Sequence, residues 1–250
     1  MTVNTRTKDV IRSTKKPEHW PKIVGPPRWA FGGEMGSTFT ELKARQRTER
    51  DNYPENMGLR VHRALSWLDR AEQEDDPDSR FIFLWIAFNA AYATEIDDRV
   101  HLNEQDTFSG FLRKLCDLDA SKRLDELVWT AYSNAIRVLL DNPYVFSCFW
   151  DHQKGRLSED QWKHSFDGAK KAANAALAQQ NTPIVLSIVF SRIYTLRNQI
   201  IHGGATWNGS TNRDQIRDCV AILTDLVPVV IEVMMDNPGA LWGEAGYPVV

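Results

Sequence analysis

Cysteine is scarce in this chain of 250 residues: Cys116, Cys148 and Cys219 are the only three, far apart and without a CxxC pair. That pattern excludes a disulfide-stapled scaffold or a zinc finger and suits a reducing compartment. Long hydrophobic runs are missing too. The most apolar stretch, Val220 to Met235, has 16 residues and contains Asp225 and Glu232, too short and too charged to span a bilayer. The N-terminus, MTVNTRTKDVIRSTKK, is charged with no apolar segment behind it, so no secretory leader is legible. Most familiar catalytic signatures are absent: no phosphate-binding GxxxxGK loop, no GxGxxG, no HExxH and no GxSxG. His19, His62, His101, His152 and His164 lack the helical partners at three or four residues that a metal site uses. The expectation is a cytoplasmic protein with no cofactor, no metal and no membrane partner.

What the chain does contain is ordinary globular composition, 42% hydrophobic and 25% charged, enough to bury a sizeable core. The net charge of −3 hides an asymmetry: residues 1–50 carry +6 and the other 200 carry −9. A basic arm on an acidic body can steer a polyanion, although a solvated basic terminus is the plainer reading. Any contact with RNA is expected at one local site rather than over the whole surface.

Residues 1–36 hold Pro17, Pro21, Pro26 and Pro27 among four glycines, with Trp20, Trp29 and Phe31 interspersed. They read as an extended N-terminal arm whose aromatics dock on the body or on a second subunit. Residues 37–250 read as a single helical domain. Val61, Leu65 and Leu68 mark a helix that ends in the acidic cluster Glu72–Asp78. Ser79 is the expected cap of the next helix, in which Phe81, Leu84, Trp85, Phe88 and Tyr92 follow a helical spacing and the other faces are also apolar. A helix apolar nearly all round is a central one. Asp106 is expected to cap a helix through Leu118, and one long helix is expected from Ser121 to Pro143. Ser158 with Gln161 reads as a capping box, and Thr182-Pro183 as a helix start. Gly203-Gly204 reads as a helix stop. Asn212 with Gln215 opens the last helix, with a kink at Pro228 and an end at Asn237-Pro238-Gly239. The acid pairs Asp75-Asp76 and Asp97-Asp98 read as solvated loops. No stretch alternates with period two, so the fold expected is all-α, an up-and-down helical bundle with helical insertions.

One cluster carries chemistry: Arg197-Asn198-Gln199-Ile200-Ile201-His202, at the end of an apolar helix. Basic side chains at a helix C-terminus are favoured by the dipole alone. The combination also has catalytic meaning. Histidine moves protons near neutral pH, and arginine offers a planar charged fork to phosphate. Together they suffice to cut RNA by transesterification, because the ribose 2′-hydroxyl is the nucleophile and the arginine steadies charge on the phosphoryl oxygens.

R-N-x-x-x-H at the end of a bundle helix resembles the motif of the HEPN superfamily of helical ribonucleases. The segment Phe81 to Tyr92 is similar to the central helix of its ApeA-like branch. The resemblance covers roughly residues 57–236. It implies a homodimer with an active site shared across the two-fold axis, metal-independent cleavage of an RNA substrate, and a toxin or antiphage-defence role with an antitoxin or activating partner. Arg197, Asn198 and His202 take the motif positions as catalytic residues. Asn89 falls in the matching helix, with either a supporting role or an ordinary interhelical hydrogen bond. Arg192 and Tyr194, on the motif's own helix, are candidates for phosphate contact, or for facing solvent or the dimer seam. Trp207 could stack on a base or close the end of the bundle.

At about 100° per residue, Asn198 and His202 share a helix face while Arg197 and His202 stand about 140° apart. Either the helix distorts just before Gly203, or the histidine of a second copy meets this arginine across a symmetric interface. Two readings compete with a ribonuclease. One is a non-catalytic HEPN-like module binding RNA, nucleotide or a protein, and the other is an interaction protein using the Trp-containing arm.

Overall fold

The computed structural model describes residues 38–92, 104–210 and 212–243. The expected arm and the Asp97-Asp98 pair lie outside the described residues. Within them the protein is an all-α bundle: α1 (Phe39–Glu49), α2 (Glu55–Glu72), α3 (Pro77–Tyr92), α4 (Glu104–Leu118), α5 (Arg123–Glu126), α6 (Ser133–Leu140), α7 (Ser147–Gln153), α8 (Glu159–Ala178), α9 (Thr182–Ile201) and α10 (Arg213–Asp236), with no strand among the described residues.

The stripe of α2 buries Val61, Leu65 and Leu68 against α3, and α3 in turn lies on α10. On α3 the aromatic side chains form a knot with α9. The Phe88 ring sits 4.2 Å from that of Phe190, and Trp85 is 6.4 Å from Phe190 and 6.0 Å from Tyr194. Phe111 of α4 closes the knot edge-on to Phe88. Burying such rings supplies the largest apolar contribution per residue. The most enclosed helix is α10, buried almost continuously from Val220 to Met235, so the centre of the bundle is α10 as much as α3.

Burying α10 all round means burying its acids, and each has a partner. Tyr132 donates its hydroxyl to Asp225 at 2.6 Å. Arg123 bonds Glu232 and Asp236, both at 2.6 Å, and Arg45 bonds Asp236 from α1 at 2.7 Å. Asp218 is the weakly compensated one. Burial pushes its carboxyl up to about 6, against a nearby Arg217 at 3.6 Å. The folded state therefore holds a proton that the unfolded chain has already lost between about pH 4 and 6, and stability falls as pH rises through that window. Asp218→Asn is expected to raise stability at pH 7.5 by about 1–3 kcal/mol and to flatten the fall. Urea midpoints of both proteins at pH 4.5 and 7.5 check this; parallel pH profiles would refute it.

By length and composition α9 is apolar enough to cross a bilayer, with mean hydropathy 1.2, a longer candidate than the Val220–Met235 stretch. In the bundle it is the spine against which α3, α4, α6 and α8 pack.

Several local signals act as expected. Ser158 and Gln161 form a reciprocal capping box, and Asn181 caps α9 with Pro183 in its first turn. Others are corrected. The cap of α3 is Asp76, not Ser79: its carboxylate accepts from the Ser79 backbone at 2.9 Å, and Pro77 takes the first helical position. α4 begins at Glu104, before the expected cap Asp106. The helix expected from Ser121 to Pro143 is broken by a π-helical turn, Leu127–Ala131. Its side chains are committed elsewhere: Trp129 donates to Thr182 at 2.8 Å, and Thr182 bonds Asp125. Asn212 precedes α10 but does not cap it, because its backbone is left-handed, with φ 58°, and its amide reaches Gln199 instead.

Candidate functional site

The R-N-x-x-x-H segment closes α9 in a Schellman arrangement. The Gly203 N–H bonds the Ile200 carbonyl at 3.2 Å and the Gly204 N–H bonds that of Gln199 at 2.7 Å. Gly203 supplies the left-handed residue this stop requires, with φ 69°. A side chain on Gly204 would meet the Gln199 carbonyl oxygen at 3.1 Å, so both glycines are dictated by the turn. Gly203→Ala is expected to cost about 1–2 kcal/mol and to blur the position of His202 just before it. A lowered urea midpoint would show it, and an unchanged one would refute the requirement.

α9 stays regular to its end: the His202 N–H still bonds the Asn198 carbonyl at 3.1 Å. No distortion turns Arg197 toward His202. The two remain on different sides of the helix, as regular geometry requires. Asn198 and His202, with Tyr194, line a cleft of about 480 Å³; Arg197 is not among the residues lining it. The arginine is half-buried beside the cleft wall. It donates to the Asn198 side-chain oxygen at 2.8 Å and lies over the Tyr194 ring at 5.8 Å, while its Nε has no partner. With its oxygen engaged by Arg197, Asn198 keeps its amide N–H groups for a ligand. His202 is exposed and its imidazole makes no hydrogen bond among the described residues, so either ring nitrogen is open to a substrate.

The opposite wall is α7, with Ser147, Trp150, Asp151 and Lys154 on the cleft. An aromatic nest holds this short helix in place: Phe149 lies 5.2 Å from Tyr144 and 5.3 Å from both Trp150 and Trp162. The Tyr144 carbonyl joins the two walls. It accepts from the Trp150 indole at 2.7 Å and from the Gln199 amide at 2.7 Å, and Gln199 also accepts from Asn212. Asp151 is paired with Arg156 at 3.2 Å, whereas Lys154 is exposed and carries no ion pair among the described residues. None of these α7 residues was singled out from the sequence; the aromatic density between Tyr144 and Phe166 was the available signal.

Past the glycines, the loop 203–210 is fastened to the corner between α2 and α3. The Trp207 indole donates to Asp76 at 3.2 Å, the Asn208 backbone to Asp78 at 2.9 Å, and Arg213 pairs with Asp78 at 2.9 Å. Asp76, read as one of a solvated pair, is thus a cap and a tether. Trp207 does not close the bundle end: 75% of it is exposed, which leaves a ring face open for stacking. Asn89 is half-buried near the C-terminal end of α3, one residue after Phe88, and does not line the cleft. Arg192 faces neither solvent nor the cleft, being buried against Phe146. Among the described residues, no three His, Cys, Asp or Glu side chains gather as a metal centre would need.

No family model, no curated protein and no solved structure matches the chain.

Proposed function

We propose that this protein is a metal-independent endoribonuclease of the HEPN type, acting as a homodimer, with a toxin or antiphage-defence role under the control of an antitoxin or activating partner. One observation carries the reading: Asn198 and an open His202 imidazole share a cleft wall at a sharply stopped helix end, while Arg197 sits about 140° round an unbroken helix. A second copy related by a two-fold axis would supply the missing neighbour to each group, and two imidazoles to one site.

One His202 takes the proton from a ribose 2′-hydroxyl, and that oxygen attacks the adjacent phosphorus. Arg197, aided by the Asn198 amide and Lys154, stabilises the charge building on the phosphoryl oxygens. The bond to the 5′-oxygen breaks as the other imidazole protonates it. The products are a 2′,3′-cyclic phosphate and a free 5′-hydroxyl. No redox partner or added nucleophile enters. Trp207, with its exposed ring, is placed to stack on a base flanking the linkage.

The test is incubation of the purified protein with total cellular RNA, with and without a chelator, followed by mapping of the fragment ends. Cleavage that survives chelation and leaves cyclic phosphate ends is expected. RNA binding with no cleavage would favour the non-catalytic module instead, and chelator-sensitive cleavage would refute the mechanism.

A further inference from the structure

A second concavity, of about 430 Å³, lies between α4, α8 and α9. Its floor includes Arg192, 2% exposed. The guanidinium lies over the Phe146 ring at 4.4 Å and near the Phe166 ring at 5.9 Å. Yet it has no hydrogen bond and no ion pair among the described residues, and its Nε is sealed without a partner. Such burial is costly for a charge, and it depresses the guanidinium to about 10. A ring face compensates only in part, and the five N–H donors of an arginine lie in its plane and edge, where no protein acceptor meets them. Stacking alone would be served as well by a methionine, without the charge.

The rest of the lining is one-sided. Arg113 stands exposed on the rim, Ser191 offers a hydroxyl without a hydrogen-bond partner among the described residues, and no Asp or Glu lines the groove. In a chain of net charge −3, a groove with two arginines and no acid is a selected environment. We propose that it is a phosphate-binding site, in which the Arg192 fork, Ser191 and Arg113 hold one phosphate group.

Its place in the fold matters. Ser187, Ser191 and Arg192 line the groove, and Thr195, Gln199 and His202 continue the same face of α9 into the cleft. Phe146 belongs to the groove and its neighbour Ser147 to the cleft. Arg192 and Asn198 are therefore about 9 Å apart along the axis, at 1.5 Å per residue. The phosphate is either a free one or the backbone group of an RNA strand lying along α9. The second source rests on the ribonuclease reading above, whereas the site itself does not.

Thermal melting in rising inorganic phosphate, at ionic strength held constant with chloride, tests the site. Wild type is expected to gain roughly 5–10 °C at a hundred times Kd. Arg192→Met, which fills the same space, is expected to lose that gain while melting no lower than wild type without phosphate. Equal gains in both, or none in wild type, would overturn the site. Should Arg192→Met fail to fold, Arg113→Gln and Ser191→Ala are surface changes expected to weaken phosphate binding several-fold, and unaltered binding in both would also overturn it. An arm with a short uridine oligoribonucleotide identifies the source. If it is RNA, adding Arg192→Met to His202→Ala weakens oligomer binding about tenfold and lowers the salt slope by about one. With free phosphate, oligomer binding is unchanged while the melting gain is still lost. Because melting is read without any cleavage, a chain that cuts no RNA would leave the phosphate result standing.

Discussion

His202→Ala is expected to reduce RNA cleavage by about 10²–10⁴-fold, the span covered by losing a positioned proton-transfer group, while shifting stability by less than about 0.5 kcal/mol. The separation between the two effects follows from the structure. The imidazole is exposed and makes no hydrogen bond among the described residues, and its backbone N–H, which ends the helix, survives the substitution. Arg197→Ala is expected to be similarly inactive. The two defects should complement each other. In a dimer assembled from one Arg197→Ala chain and one His202→Ala chain, one guanidinium and one imidazole remain at the shared site. Activity above that of either parent, measured on the co-expressed pair, supports the two-fold arrangement. Wild-type cleavage by His202→Ala alone would end the ribonuclease reading.

The largest effect on stability is expected at Phe88. Its ring has no exposed surface and meets Phe190 at 4.2 Å, Tyr92 at 5.1 Å and Trp85 at 6.0 Å. Phe88→Ala removes the ring from the junction of three helices and leaves a space its neighbours fill only in part. The expected loss is about 3–5 kcal/mol, read from urea unfolding with an unchanged slope. Because that knot seats α9, the helix that carries the R-N-x-x-x-H segment, activity should fall at temperatures where the variant begins to open. Phe88→Leu, which keeps most of the volume, should lose far less. Equal losses for the two variants would show that shape at this position does not matter.

The sequence makes legible whatever is decided within three or four residues. The Ser158–Gln161 box, the Pro183 start and the Gly203 stop are short-range hydrogen bonding and backbone geometry, and they appear where expected. The end of α9, and the shared face of Asn198 and His202, follow from the same local rules. Features set by distant partners were hidden. Asn212 matches a capping residue in its sequence context, but its amide is drawn to Gln199. Asp76 sits in an acidic run, and its role depends on Trp207, 131 residues away. Helical periodicity places Arg192 on a face of α9 without revealing that Phe146 and Phe166 arrive to cover it. The α7 wall was equally obscure, since no spacing rule says that Asp151 and Lys154 oppose His202 across a cleft.

The widened turn at Leu127–Ala131 makes the bundle sensitive to the length of the chain as well as to its chemistry. A π turn accommodates one residue more than an α turn, so it acts as a spacer that sets the phase of everything after it. Loss of a single codon there would let the coil tighten and would swing Ile136, Leu139 and Leu140 by about 100°, away from the interior. Substitutions in this stretch are tolerable to the extent that they conserve bulk, but an in-frame deletion of one residue would be felt as far off as the spine they brace.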